Sequence, residues 1–228
     1  MKINRLHNWN LSYSQAVALQ KKLACKVRFT ALKKKPTLIA GMDCAFSTDG
    51  RKIIAVVIVL RPVTKAHFEI VEIKNAVDRV TFPYIPGLLS FREAPVCIAA
   101  AEKLQTNPDI FIIDGQGLAH PRRLGLAAHI GIFLRKPTIG CAKSRLIGTF
   151  KPPQNSKGSF TYLKDNHQAI GAVVRTRTNV KPVFVSVGNM CTLSDAVRNI
   201  LLCATKYRLP EPTRLADKMV RHLKLKLT

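Results

Sequence analysis

The sequence predicts an α/β fold, a central mixed β-sheet flanked by helices, and three observations carry that expectation. Short apolar strand patterns alternate with helical ones along the chain. The stretch KIIAVVIVL (52–60) is apolar at every position after Lys52, so both of its faces need covering. A chain of 228 residues, 47% of them hydrophobic, can also supply one sizeable core. No repeat or shift in composition divides it, so residues 1–228 are expected to form a single domain.

Taken in order, NLSYSQAVALQKKLACKV (10–27) sets Ala16, Leu19, Leu23 and Val27 at helical steps of three and four, with Ser12 or Ser14 able to cap its start. KKKP (33–36) marks a solvated break. Strands follow at 37–46, 52–60 and 67–77, with STDG (47–50) as a hairpin-like turn between the first two. The third alternates apolar and polar residues, as a strand nearer an edge does. LLSFREAPVCIAAAEKL (88–104) reads as a helix whose apolar residues wrap most of its circumference, so it packs into the core. DIFIID (109–114) is a short buried strand, RLGLAAHIGIFL (123–134) a helix after a glycine-rich loop, and PTIGCA (137–142) another strand. Segment 143–168 reads as turn-rich and basic, and strand pattern returns at 169–176 and 182–188. TLSDAVRNILLCATKY (192–207) is a helix with Thr192 and Asp195 spaced as a capping box. In 211–228, Leu215, Met219, Val220 and Leu223 form one stripe opposite lysines and arginines.

Charge narrows the partners. With 37 Lys+Arg against 13 Asp+Glu, the formal charge of +24 creates a field attractive to polyanions, and nucleic acid leads over an anionic surface. The cysteines (25, 44, 97, 141, 191 and 203) include no CxxC pair, and four lie in apolar runs as small hydrophobes, which argues against a zinc finger or a disulfide scaffold. The first residues lack the apolar core and cleavage site of a signal peptide, and the longest apolar run, IIAVVIVL (53–60), is far below the roughly 20 residues that span a bilayer. The expectation is an intracellular protein without a membrane partner.

In a chain this short of acids, placement of the carboxylates is informative. Asp43 interrupts LIAGMDCAF and Asp114 ends IFIID; a carboxylate in an apolar strand is costly unless paired, hydrogen-bonded or metal-bound. Each alone fits an Asx turn, but α/β sheets place ligands at strand carboxyl ends, and together the two suggest a shared site. Glu93 stands at capping-box spacing from Ser90, yet Pro95 would then sit too deep in the helix, and Glu93 projects inside the apolar arc. Asp217 lies between core and basic face, either solvated or turned inward as a fourth carboxylate. Oxygen ligands of this kind suit hard cations such as Mg²⁺.

The loops add cations and rings. GQGLAHPRR (115–123) follows Asp114 with two glycines that permit close approach by a ligand, and His120 there could bind a phosphate or relay a proton. Lys143 follows the strand TIGCA, placed to offset charge at phosphorus. In FPYIPGLLSF (82–91), two prolines bracket Tyr84 and Ile85, a stiff loop that either wedges between bases or plugs the core with its tyrosine. Arg92, Arg122, Arg123, Arg145, Lys151, Lys157 and Lys164 could follow a phosphate backbone.

GMDCAFS, PYIPGLLSFREAP, DGQGLAHPRRLGLAAHIG, IGCAKSRL and YRLPEPTRLAD together resemble the endonuclease V family, in family order and with similar spacing. The resemblance implies a ribonuclease-H-like fold and Mg²⁺- or Mn²⁺-dependent hydrolysis of the second phosphodiester bond 3′ to deoxyinosine or inosine, leaving a 3′-hydroxyl and a 5′-phosphate. By motif, Asp43, Glu93 and Asp114 look like the metal-binding carboxylates, with Asp217 offering a further metal-ligand oxygen. His120 and Lys143 resemble the catalytic residues beside the scissile phosphate. Tyr84 looks like the strand-separating wedge. The inosine-containing strand would meet Tyr84, Ile85, Pro86, Gly87, Leu89, Arg92, Gly115, Gly117, Leu118, His120 and Arg122, with hypoxanthine held mainly by backbone groups of the two loops. Relatives can carry histidine at the position of Asp217, and often read Gly-His where this chain has Gly188-Asn189. The implied protein is a monomer in the cytoplasm, or the nucleus of a eukaryotic cell, acting on single- or double-stranded substrate. The competing expectations are a degenerate nucleic-acid-binding protein and a ribonuclease-H-like nuclease of other specificity.

Overall fold

The structure, a computed structural model, describes residues 1, 3 and 5–225. Strands β1 (Ile39–Phe46), β2 (Lys52–Pro62) and β3 (Phe68–Arg79) form an antiparallel meander, which β4 (Ile110–Ile113), parallel to β1, and β5 (Thr138–Ala142), parallel to β4, extend. β6 (Phe160–Asp165), β7 (Gln168–Val174) and β8 (Val183–Asn189) complete the eight-stranded mixed sheet, ordered β3-β2-β1-β4-β5-β8-β7-β6. α1 (Tyr13–Ala24) packs beside α3 (Leu126–Leu134), which with α2 (Leu89–Glu102) covers one face; α4 (Leu193–Cys203) and α5 (Glu211–Lys224) cover the other.

β2 shows how the pattern dictates these layers. No side chain from Ile53 to Leu60 is more than 2% exposed. The pleat sends Ile53, Ala55, Val57 and Val59 into the core under α2 and α3, and Ile54, Val56, Ile58 and Leu60 against Val220, Leu215, Met219 and Leu223 of α5. Each of the larger side chains contributes about 1.5–3 kcal/mol by burial, so continuous hydrophobicity is affordable only in a strand covered on both faces. β3 is indeed an edge strand, with Ala76 its one buried residue.

Local chemistry sets the helix ends. Ser12 with Gln15 and Thr192 with Asp195 form the two capping boxes. Ser90 and Glu93 do not: α2 begins at Leu89 without a side-chain cap, which leaves Ser90 and Glu93 inside the helix and Pro95 deeper still. The helix expected from residue 123 starts at Leu126, because Arg123 adopts a left-handed conformation (φ 57°) and Gly125 is the cap. The helix expected over 192–207 stops at Cys203, and of the segment 211–228 residues 226–228 lie outside the described ones. Segment 143–168 differs most, since it contains β6. Only Leu163 of that strand is buried, so its pairing with β7 rests on main-chain bonds rather than on an apolar pattern.

Two close contacts position the elements that matter for the site. A Cβ on Gly41 of β1 would lie 2.1 Å from the carbonyl carbon and oxygen of Pro212, so glycine lets the first turn of α5 press onto the sheet. On the other face, a chain of hydrogen bonds ties the N-terminal segment down. His7 donates from Nδ1 to the Asn8 carbonyl (2.8 Å), which leaves its Nε2 to accept from His129 Nε2 (2.9 Å), and His129 Nδ1 accepts from the Ser90 hydroxyl (3.0 Å). Burial lowers the pKa of both rings, that of His129 to about 3, so the pair stays neutral.

Candidate metal centre and nucleic-acid cleft

Parallel pairing places the first two acids. Met42 of β1 sits opposite Ile113 of β4, so Asp43 and Asp114, each one residue further on, emerge side by side at the carboxyl ends of adjacent strands. Lys143 follows β5, the next strand, and α5, seated on Gly41, brings Asp217 to the same place. One carboxylate oxygen from each of Asp43, Asp114 and Asp217 can be chosen so that all three lie within 4.8 Å of one another. The Lys143 ammonium already stands among them, 2.6 Å from Asp114 Oδ2 and 3.3 Å from Asp217 Oδ1, while Arg221 braces Asp217 from outside at 2.9 Å.

The electrostatics are those of acids gathered for a cation. Burial, followed by the charge of Asp114, raises Asp43 to about 8 despite the hydrogen bond from the Cys44 amide (2.8 Å). Burial disfavours the charge on Lys143, but its hydrogen bond to Asp114 and the fields of Asp114, Asp43 and Asp217 hold its pKa above the usual value. Burial likewise opposes the charge of Asp217, yet the hydrogen bond from Arg221 and the nearby Lys143 keep it low. Crowded, part-buried carboxylates repel one another, and a divalent ion relieves that repulsion; three hard oxygen donors fit Mg²⁺ or Mn²⁺.

Glu93, one of the three principal acids expected from the motifs, lies outside this convergent group, and Asp217 takes the third place in it. Glu93 is close enough to be influenced by Asp114 and by the Cys44 thiol, and burial first of all raises its pKa to about 7.

Beside the acids, the two loops predicted from the sequence form a small pocket of about 160 Å³. Tyr84, Ile85, Pro86, Gly87 and Leu89 line one side, with Gly115, His120 and the unanticipated Gln116 and Leu146 opposite. Tyr84 is 69% exposed, which rules out the core-plug reading and leaves its ring free at the pocket rim. The Gly87 carbonyl locks the loops together, accepting from Gln20 Nε2 (3.0 Å), His120 Nε2 (3.1 Å) and Arg122 Nη2 (2.7 Å). Gln20 of α1 also bonds the Leu124 carbonyl and Arg122 Nε; nothing in the sequence singled it out.

His120 accepts from the Arg122 amide at Nδ1, so its proton is on Nε2 and is given to Gly87. Burial and then Arg122 lower its pKa to about 4, so it is a neutral member of the pocket wall. Arg92 stacks on Phe46 with its guanidinium 4.4 Å from the ring centroid. Gly117 and Leu118 turn toward β8 instead of lining the pocket: their amides donate to Ser186 Oγ and the Val187 carbonyl, and a Cβ on Gly117 would meet that carbonyl oxygen at 2.1 Å. Asn189 is structural as well, accepting from the Arg28 amide and donating to the Gly131 carbonyl.

A mixed sheet of this topology, with carboxylates converging at the ends of its parallel strands beside a lysine and a base-sized pocket, defines a metal-dependent nuclease of ribonuclease-H-like fold. The comparisons with known proteins agree. The family profile for endonuclease V matches residues 21–218. The endonuclease V of Thermosipho melanesiensis is 43% identical over 224 residues, 98% of this chain and 96% of the relative, and that of Dictyoglomus turgidum is 50% identical over 204 residues, 90% and 87% of the two chains. The crystal structure of the Bacillus subtilis protein superposes with a TM-score of 0.93 at 33% identity, covering 100% of this chain and 98% of that one. Ciona intestinalis endonuclease V, solved in complex with a DNA containing an inosine followed by a ribo-adenosine, gives 0.79 at 27% identity, covering 92% and 97%. The chain belongs to the endonuclease V family and is a metal-dependent endonuclease.

Proposed function

We propose that the protein, acting as a single-domain monomer in the cytoplasm, uses Mg²⁺ to hydrolyse the second phosphodiester bond 3′ to deoxyinosine or inosine, leaving a 3′-hydroxyl and a 5′-phosphate. The observation that carries this reading is the convergence of Asp43, Asp114 and Asp217 oxygens within 4.8 Å around the Lys143 ammonium, beside a pocket walled by the Tyr84 and Gln116 loops.

Asp43, Asp114 and Asp217 would hold the ion, which when bound supplies a Lewis acid for the phosphate and lowers the pKa of attacking water. Lys143 offsets negative charge that develops on phosphorus. Glu93, poised at about 7, can hold or release a proton near neutral pH from a position next to the acids. The exposed Tyr84 ring wedges into the stack as the inosine leaves it, and weak pairing of inosine lowers the cost of flipping. His120 keeps the two loops at a fixed separation through Gly87, so the pocket is preformed for a flat base.

The test is cleavage of an oligonucleotide carrying one inosine, with Mg²⁺, with Mn²⁺ and with EDTA, in DNA and RNA versions. The expected result is a single metal-dependent cut with the ends named above. No cutting with either ion would leave a binding protein only, and equal cutting of the matched strand without inosine would make it a nuclease of other specificity.

A further inference from the structure

A second cleft, of about 360 Å³, opens beside Lys143 of the acid cluster. Lys143 belongs to both, and the loop that follows it is a shared wall: Leu146 lines the base pocket, whereas Lys143 and Arg145 line this cleft. Phe150 and Phe184 meet edge to face at 5.5 Å, and the Arg145 guanidinium stands 5.8 Å from the Phe150 centroid, held by a hydrogen bond to the Gly148 carbonyl (3.1 Å). Arg208 fixes the rim by donating to the carbonyls of Lys143 (2.6 Å), Lys181 (2.9 Å) and Pro182 (2.9 Å). The lining has five cations and no acid, which selects a polyanion, and its rings select a ligand with an apolar face.

We infer that this cleft receives the nucleotide on the 3′ side of the cut, its base against Phe150 and Arg145 and the following phosphate near the exposed Lys181. The inference rests on the proposed reading of the site, with inosine in the base pocket and the scissile phosphate at Lys143. A strand leaving the base pocket in its 3′ direction and passing the acids meets this cleft next, because Lys143, paired with Asp114 in the acid cluster, also lines the cleft. An acidic peptide or a lone phosphate would use the cations but leave the aromatic wall unfilled, whereas a nucleotide uses both. The enzyme then grips the strand on either side of the bond it breaks, and the 5′-phosphate product is the half that lingers.

The test compares an inosine oligonucleotide with one lacking only the base of the nucleotide immediately 3′ of the cut, and with a control lacking a base upstream of the inosine. For the unmodified enzyme, KM is expected to rise about tenfold on the first abasic strand, in line with loss of one stacked base, with kcat nearly unchanged and the control cut normally. Arg145→Ala is expected to raise KM about tenfold on the intact strand and no further on the abasic one, since both changes remove the same contact. Lys181→Glu is expected to raise KM alike on both. Equal KM for intact and abasic strands, or losses that multiply when Arg145→Ala meets the abasic strand, would overturn the assignment while leaving the inosine reading standing. If no inosine strand is cut at all, the reading of the site fails and this subsite falls with it.

Discussion

Replacing Asp43 by asparagine should stabilise the metal-free protein while removing its activity. Burial and the adjacent Asp114 move the Asp43 pKa from its usual 3.8 to about 8. A carboxyl group with a raised folded-state pKa contributes fully below pH 4, where both folded and unfolded chains hold the proton, and its contribution is lost as pH rises toward 8. At pH 7 the unfolded chain has released a proton that the folded chain still keeps, over about three pH units at roughly 1.4 kcal/mol each, so the penalty is about 4 kcal/mol, or about 2–4 after local relaxation. Asparagine has no proton to lose and can still accept from the Cys44 amide. At 2–4 °C per kcal/mol for a chain of this size, melting in EDTA at pH 8 should be about 5–15 °C higher in Asp43→Asn. The difference should shrink toward pH 5. Added Mg²⁺ should raise the melting temperature of the natural protein and hardly move the variant. Turnover should fall far more than affinity for the inosine strand. A variant less stable than the natural protein in EDTA at pH 8, or melting curves of the same pH slope, would refute the reasoning.

Three further outcomes are expected. His129, fully buried with its pKa lowered to about 3, refuses a proton that the unfolded chain accepts below about 6.5, so stability is intact above that pH and declines as pH falls toward 3. The loss is about 2 kcal/mol by pH 5, and urea midpoints of His129→Asn should show a shallower decline between pH 6 and 4 even if the variant is weaker at pH 7. Lys143→Met should lower kcat roughly a hundredfold or more by removing the cation beside Asp114, and a change under threefold in steady-state rates would deny it a part in the chemistry. Gly41→Ala drives a methyl group into the Pro212 backbone, so about 1–3 kcal/mol of stability should go as α5 shifts, and the Mg²⁺ concentration for half-maximal rate should rise with the displacement of Asp217. Unchanged melting and metal dependence would show that α5 does not depend on that contact.

Asp43 and Asp114 could be found from the chain alone because each breaks an apolar run, and the sheet then needed only parallel pairing to bring them together. Asp217 is harder: its place beside the stripe of α5 fits both a solvated acid and a ligand, and only the seating of Pro212 on Gly41 decides between them. Glu93 reads correctly as inward-facing, yet periodicity says nothing about how far along that inward direction the acids lie. Gln20 and Gln116 escape a sequence reading altogether, and Asn189 shows there only as a departure from the family pattern, because an amide shows no pattern until the backbone groups it serves have been brought near it from distant segments. β6 escapes for another reason, since an edge strand with one buried side chain leaves little hydrophobic trace.

The dependence of the acid cluster on α5 also orders events in time. A ribosome makes Asp43 and Asp114 well before Asp217, because the helix that carries the last of them ends the described chain. Until that helix docks, a growing chain holds only part of its cation site, so the covering that completes one face of the core also completes the cluster of acids.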